Sequence, residues 1–310
     1  MQLPPPLDRL LAGLEPLVPA TEPLAACASC VMAEPAAPGR PVFTAPARCC
    51  THHPELPNFL VGHALDRGGV GAERIRARLQ DPSGVGPLGV DPSDSYRARR
   101  VQVGYSAGQD PGSTCPYWVE GDLGCSIHLS RNAICRTWFC RMGHGKRSYD
   151  TWMAARDVIR AAERRIARAV AHEPGDDWSA YFQRCSARAR SLDDAALTDA
   201  LDLRLLARCQ DLAAARDEPL PLCPVPSISG STIHPTHVEL ESFSSFDPFF
   251  APPWIFQLLS RLDGQTPWLE ALRATAAIVE GPVSPDLVLQ LWNRGLLAPP
   301  EALQGDGFVL

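Results

Sequence analysis

The chain has 310 residues, 45% of them hydrophobic and 21% charged, with a formal charge of −6. That is enough apolar material to bury a core, which excludes a globally disordered chain, and the length suits two domains. An acidic balance, with a pI of about 5.8, argues against a protein that holds nucleic acid or anionic membrane mainly by charge.

Residues 7–17, LDRLLAGLEPL, predict a short amphipathic helix ending near Pro16. The N-terminus lacks the basic stretch and unbroken apolar run of a secretion signal, and no segment reaches the ~18 apolar residues of a membrane span. A cytoplasmic protein with no membrane partner is therefore expected. Residues 55–80 predict two short helices around Gly68-Gly69, residues 81–95 a Gly/Pro loop, and residues 98–105, ARRVQVGY, a short strand. Residues 106–147 are rich in glycine and polar turns, which predicts few regular elements. The clearest helix runs from about Ser148 to His172, where Pro174-Gly175 ends it. Its arginines 156, 160, 164, 165 and 168, interleaved with Asp157 and Glu163, predict a solvated face. Helices are also predicted near 177–190 and 193–217. Residues 218–252 are rich in Pro, Ser and Phe and read as a linker. Three further helices are expected at Trp254–Leu262, 267–279 and 284–294, with Asp263-Gly264 and Gly295 as stops and Gly307–Leu310 as a last short strand.

The cysteines carry the chemical information. There are 11, and in a chain without an export signal metal binding or redox chemistry is favoured over disulfides. Eight lie in three groups: Cys27 and Cys30, the vicinal pair Cys49-Cys50, and Cys115, Cys125, Cys135 and Cys140. A Cys-x-x-Cys turn aims two sulfurs at one metal. Vicinal cysteines point to opposite faces of an extended chain, so they share a metal only at a bend, or else serve two ions. Eight thiolates suit two four-sulfur sites, or one cluster and a further site. Arg48, Arg136 and Arg141 adjoin cysteines and Arg131 lies between two, placing positive charge near thiolates. His52, His53, His128 and His144 are alternative ligands, with His128 and His144 the leading pair. Cys185 and Cys209 read as ordinary buried thiols, and Cys223, between two prolines, is poorly placed for cluster assembly.

Cys27-x2-Cys30, Cys49-Cys50, Cys115-Pro116, the run from Gly124-Cys125-Ser-Ile-His through Arg131, and Cys135-Arg136-Thr-Trp-Phe-Cys140 together resemble the YkgJ-like CxxCxxCC family, described as zinc- or iron-chelating. The resemblance covers roughly residues 25–150. Its first half departs from the family pattern, because a Pro/Ala-rich insert of 18 residues separates Cys30 from Cys49. A loop insertion of that kind costs little closure entropy. The resemblance implies metal binding without fixing a reaction. A related group, the flagellin lysine N-methylases, carries a similar cysteine cluster and acts with S-adenosylmethionine.

The expected architecture is mainly α, with an irregular, loop-rich metal-binding region. It comprises a cysteine-cluster domain at 1–147, a helical region at 148–217, a linker at 218–252 and a small helical unit at 253–310. That last unit, IFQLLSRLDGQTPWLEAL…LVLQLWNRGLL, resembles winged-helix-like modules of peptide-recognition and accessory proteins. Phosphate-binding loops, zinc-protease, nucleophile-elbow and dinucleotide fingerprints are all missing from the sequence. The expected cofactor is an iron–sulfur cluster, ahead of zinc by a narrow margin. The expected role is electron transfer or metal-dependent modification of a protein or peptide. The alternative is a non-enzymatic adaptor with structural zinc, its C-terminal module binding a protein or peptide partner. Nucleic acid is disfavoured as a partner, and the oligomeric state is left open.

Overall fold

A computed structural model describes residues 6–11, 43, 47–104, 108–120, 124–138, 145–241 and 248–303. The chain is mainly helical with small sheets. It divides into two compact units, one built from residues 1–18, 24–139 and 152–210 and the other from 19–23, 140–151 and 211–310. Among the described residues, no helix is long and apolar enough to cross a membrane.

In the first unit, α1 (Leu7–Leu11) is the described part of the helix expected at 7–17. β1 (Leu56–Pro57) leads into α2 (Asn58–Arg67) and α3 (Gly69–Leu79), the pair expected around Gly68-Gly69. β2 (Val85–Gly86) and β3 (Gly89–Val90) form a hairpin, and β1 adds to it in the order β1-β3-β2. The Gly/Pro loop expected at 81–95 therefore contains a small sheet. α4 (Asp94–Val103) replaces the strand expected at 98–105. Ser93 starts this helix, its side chain accepting the Tyr96 backbone N–H. Tyr96 is the buried anchor, and the arginines around it hide the helical period from a sequence reading. β4 (Trp118–Val119) pairs antiparallel with β5 (Gly124–Cys125), and the single turn α5 (Ala133–Arg136) follows.

α6 (Gly145–Val170) begins slightly before the expected Ser148. Its stripe of Val158, Ile159, Ala162, Ile166 and Val170 is buried in the first unit, as 3.6-residue spacing requires. α7 (Trp178–Arg190) starts at Asp177, whose carboxylate accepts the N–H groups of Ser179 and Ala180. The helix expected at 193–217 is two, α8 (Asp194–Asp199) and α9 (Leu203–Arg216), because the Asp202 carboxylate caps Arg204 and Leu205 and restarts the helix. The core joins Phe59 and Leu60 of α2, Ile75 of α3, Ile166 of α6, and Tyr181 and Phe182 of α7. α2 and α7 approach closely at Gly62, where a Cβ would stand 1.9 Å from the Phe182 carbonyl oxygen.

The second unit corrects the reading of 218–252 as a linker. β7 (Ser231–Ile233), β8 (Val238–Leu240) and β9 (Phe249–Ala251) form an antiparallel sheet in that order, preceded by β6 (Val225–Pro226). Val238, Leu240, Phe249 and Ala251 enter one core with residues from α10 (Ile255–Leu259), α11 (Trp268–Ala276) and α12 (Pro285–Asn293). The inward/outward alternation is only three residues long in β8 and β9, and β7 is exposed throughout, so no strand stands out among prolines and serines. β10 (Leu297–Ala298) pairs back onto β6. The three C-terminal helices lie within their expected bounds. Among the described residues no hairpin follows α12, and the strand expected at 307–310 lies outside them.

Candidate metal centre

Of the eight cysteines singled out, Cys27, Cys30 and Cys140 lie outside the described residues, as do Arg141 and His144. The other five sit on short pieces of chain pinned to the helices of the first unit. Cys49 and Cys50 occupy a tight turn: the Cys50 N–H donates to Ala47 O at 2.9 Å and the Thr51 N–H to Cys49 O at 2.8 Å. This is the bend that vicinal cysteines need in order to serve one ion. Arg48, within it, takes a left-handed φ of 55°. Thr51 is buried and fixes the turn, its Oγ1 accepting the Gly108 N–H at 2.8 Å and its carbonyl accepting the Tyr96 hydroxyl of α4 at 3.0 Å.

Cys115 is attached directly to this turn, its N–H donating to Cys50 O at 2.8 Å. The chain then enters the β4–β5 hairpin, where Trp118 faces Cys125. The Tyr117 carbonyl accepts the Ser126 N–H at 2.9 Å and closes the hairpin's base. α3 packs on this loop through Gly71, where a Cβ would meet Ser126 O at 2.5 Å. Cys135 lies on α5. Asn132 caps that turn, its Oδ1 accepting the Cys135 N–H at 3.1 Å while its amide donates to Glu55 O at 3.0 Å.

Burial pushes Cys115 well above the ordinary thiol range, and the charges of Cys135, Cys125 and Cys50 push it further. Burial pushes Cys135 up to about 12, with Cys125 and Cys50 adding to the rise. Cys125 is raised by burial and by Cys50, against the lowering effect of the Ile127 N–H, Arg131 and Arg136. Cys50, Cys115, Cys125 and Cys135 therefore share one electrostatic neighbourhood. Among the described residues, no three or more His, Cys, Asp or Glu side chains stand close enough together to hold a metal ion as they are. As donors the four thiols are of the soft type that zinc and iron–sulfur centres take.

The arginines do more than supply charge. Arg131 donates from Nε to His128 O at 3.0 Å and from a terminal nitrogen to Cys135 O at 3.1 Å. Arg136 is buried and donates to Arg131 O and Leu129 O, both at 2.6 Å. Burial lowers its pKa to about 10, and the neighbouring Glu163 opposes that shift.

Among the histidines the ranking changes. His128 lies at the surface. His53 donates from Nε2 to Thr114 O at 2.9 Å and stacks on Tyr96 at 3.7 Å, a positioning role. His52 has a buried Nε2 with no hydrogen-bond partner among the described residues, and burial lowers its pKa. Its place beside the vicinal pair makes it the histidine nearest in kind to a ligand.

No protein-family model, no curated protein and no solved structure matches the chain.

Cys185 and Cys209 are buried in α7 and α9, and Cys223 donates to Gln265 O at 3.2 Å in the second unit. Thr51, Tyr96 and Asn132, which position the thiols, escape a sequence reading, because their partners are backbone atoms far along the chain. Glu163, expected on a solvated face, is instead 3% exposed. Burial raises its pKa to about 8, although the Ala133 backbone N–H bonds its carboxyl group. Its position between Ile159 and Ile166 on the apolar stripe is the signal that marks it.

Proposed function

We propose that this chain is a cysteine-cluster metalloprotein, similar to the YkgJ-like family. In this reading Cys50, Cys115, Cys125 and Cys135 act with Cys27, Cys30, Cys49 and Cys140 to hold an iron–sulfur cluster or zinc. The observation that carries the reading is the backbone frame around the vicinal pair: Cys49 and Cys50 sit in a tight turn, and the Cys115 N–H donates to the Cys50 carbonyl at 2.8 Å. Without a cation the buried thiols stay protonated, and a bound cation would stabilise their thiolate forms. An iron–sulfur cluster would supply electron transfer, whereas zinc would supply a structural staple. The protein's own part is to present thiols on backbone held by Thr51, Tyr96 and Asn132, and to set Arg131 and Arg136 beside them. A cytoplasmic location belongs to the same proposal.

The test is metal and acid-labile sulfide content, with a visible spectrum, on protein purified without oxygen. Iron with sulfide and a broad absorption near ~400 nm supports the cluster, and about one or two zinc ions in colourless protein supports the staple. Protein without stoichiometric metal overturns both.

A second reading treats the winged-helix-like 253–310 unit as the docking module of an adaptor for a protein or peptide. It is favoured by Phe256, Leu269 and Leu289, which stay exposed on three helices of that unit. Zinc without sulfide, together with a metal-independent partner, would select it.

A further inference from the structure

We infer that the first unit carries a second site, a cavity that binds a small organic anion with an apolar body and a hydroxyl or amino group at its far end. The cavity has a volume of about 500 Å³. Its walls are the Leu56-Pro57 strand, the β2–β3 hairpin, the first residues of α5, and α6 from Arg160 to Arg168. None of its lining residues is a candidate thiol ligand, so the inference stands apart from the metal reading.

Three observations define the ligand. The first is Glu163, which lines the cavity although its side chain is almost wholly buried. Its Oε1 has no hydrogen-bond partner among the described residues. Leaving such an atom unpaired costs the full desolvation of a buried polar group. The cavity is where a partner can enter, and a hydroxyl or amino group, able to donate or to accept, complements a carboxyl group in either protonation state. The second is the wall itself. Leu56, Pro57, Val85, Leu88, Ile134 and Ala167 offer apolar surface, interleaved with charged side chains of which Arg97 and Arg160 are already paired with Asp91 and Glu55. The third is the charge at the edge. Arg164 and Arg168 are exposed and four residues apart, so they stand on one face of α6. Neither has an ion-pair partner among the described residues, whereas Arg160 pairs with Glu55 at 3.4 Å and Arg97 with Asp91 at 3.5 Å. Unpaired guanidinium groups beside a cavity select carboxylate or phosphate.

The test uses the full-length protein and calorimetric titration with 4-hydroxyphenylacetate. 4-Hydroxyphenyl phosphate serves as the phosphate arm, and phenylacetate lacks the donor. The expected result is saturable one-to-one binding, weakened at least ~10-fold when the hydroxyl is removed, about 1.4 kcal/mol. The tighter of the two hydroxylated probes identifies the anion. R164A/R168A, both surface changes, should weaken every probe ~10-fold or more. E163L should erase the preference for the hydroxyl while keeping the apolar and anionic contributions. Circular dichroism of each variant confirms that it is folded. If no probe binds, or if binding is indifferent to Arg164 and Arg168, the site is refuted. If the hydroxyl preference survives in E163L, the assignment of Glu163 is refuted.

Discussion

Asn58 is the residue whose removal should cost the first unit most for its size. It is fully buried at the start of α2. Its amide donates to Pro87 O at 3.0 Å and to Ala167 O at 2.9 Å, and its Oδ1 accepts the Phe59 N–H at 2.7 Å. One side chain thus ties α2, the β2–β3 hairpin and the last turn of α6. Ala167 is one of the final four residues of that helix, whose carbonyls have no partner within it. In Asn58→Ala, three hydrogen bonds of about 1 kcal/mol each are lost. Pro87 O keeps the Tyr181 hydroxyl at 2.8 Å, but Ala167 O loses its buried donor, adding about 1 to 2 kcal/mol. The sum is about 4 to 5 kcal/mol, which should lower the urea midpoint followed by circular dichroism by about 2 to 2.5 M, at an m-value of about 2 kcal/mol per M. Asn58→Asp keeps the Oδ1 acceptor but turns an acceptor toward two carbonyls, so it should rescue nothing. A midpoint within about 0.3 M of the wild type for Asn58→Ala would refute this account of how the three elements are joined.

Gly62→Ala should destabilise by about 3 kcal/mol in a thermal or urea melt, because the new Cβ runs into Phe182 backbone on α7 rather than a movable side chain. Replacing Cys135 and Cys140 together by Ser should abolish metal retention, while Cys185→Ser, Cys209→Ser and Cys223→Ser should leave the bound metal unchanged by elemental analysis. His63 has its pKa lowered to about 4, by burial first and then by Arg67, Arg136 and Arg190 against Asp66. It is neutral in the fold and takes up a proton on unfolding below its ordinary 6.5, so its contribution is present above that pH and is lost as pH falls from 6.5 toward 4. Discounted for its partial exposure, the loss is about 1 to 2 kcal/mol. His63→Gln should flatten stability against pH by that amount, and an unchanged acid limb would rule the residue out. Gly71→Val should weaken metal retention without removing a thiol, since its side chain would press on the Ser126 carbonyl beside Cys125.

The long helices were legible because the signals that make them are local. The α6 stripe repeats at helical spacing, and Asp177 stands where a cap is needed. α4 reads as a strand in the sequence because one buried tyrosine and a row of arginines carry no clear period. The small sheet at 231–251 leaves no sequence signal because its strands are three residues long and pack on helices that follow them. At the candidate centre, residue types and spacing named the thiols. What joins them was not legible: Thr51 to Tyr96, Cys115 to Cys50 and Asn132 to Glu55 all pair a residue with backbone far away in sequence. Glu163 could have been found, since it interrupts an apolar stripe, but its neighbouring arginines made it look like ordinary surface.

Arg131 and Arg136 hold the segment 128–136 by gripping its own carbonyls. The same two groups are the fixed cations beside Cys125. A lysine carries the charge without the planar fork, and a glutamine offers some of the hydrogen bonds without the charge. Neither residue can therefore be exchanged for one property alone. Any sequence drift that retunes the electric field around these thiols also reshapes the loop that presents them, so the two traits are inherited as one.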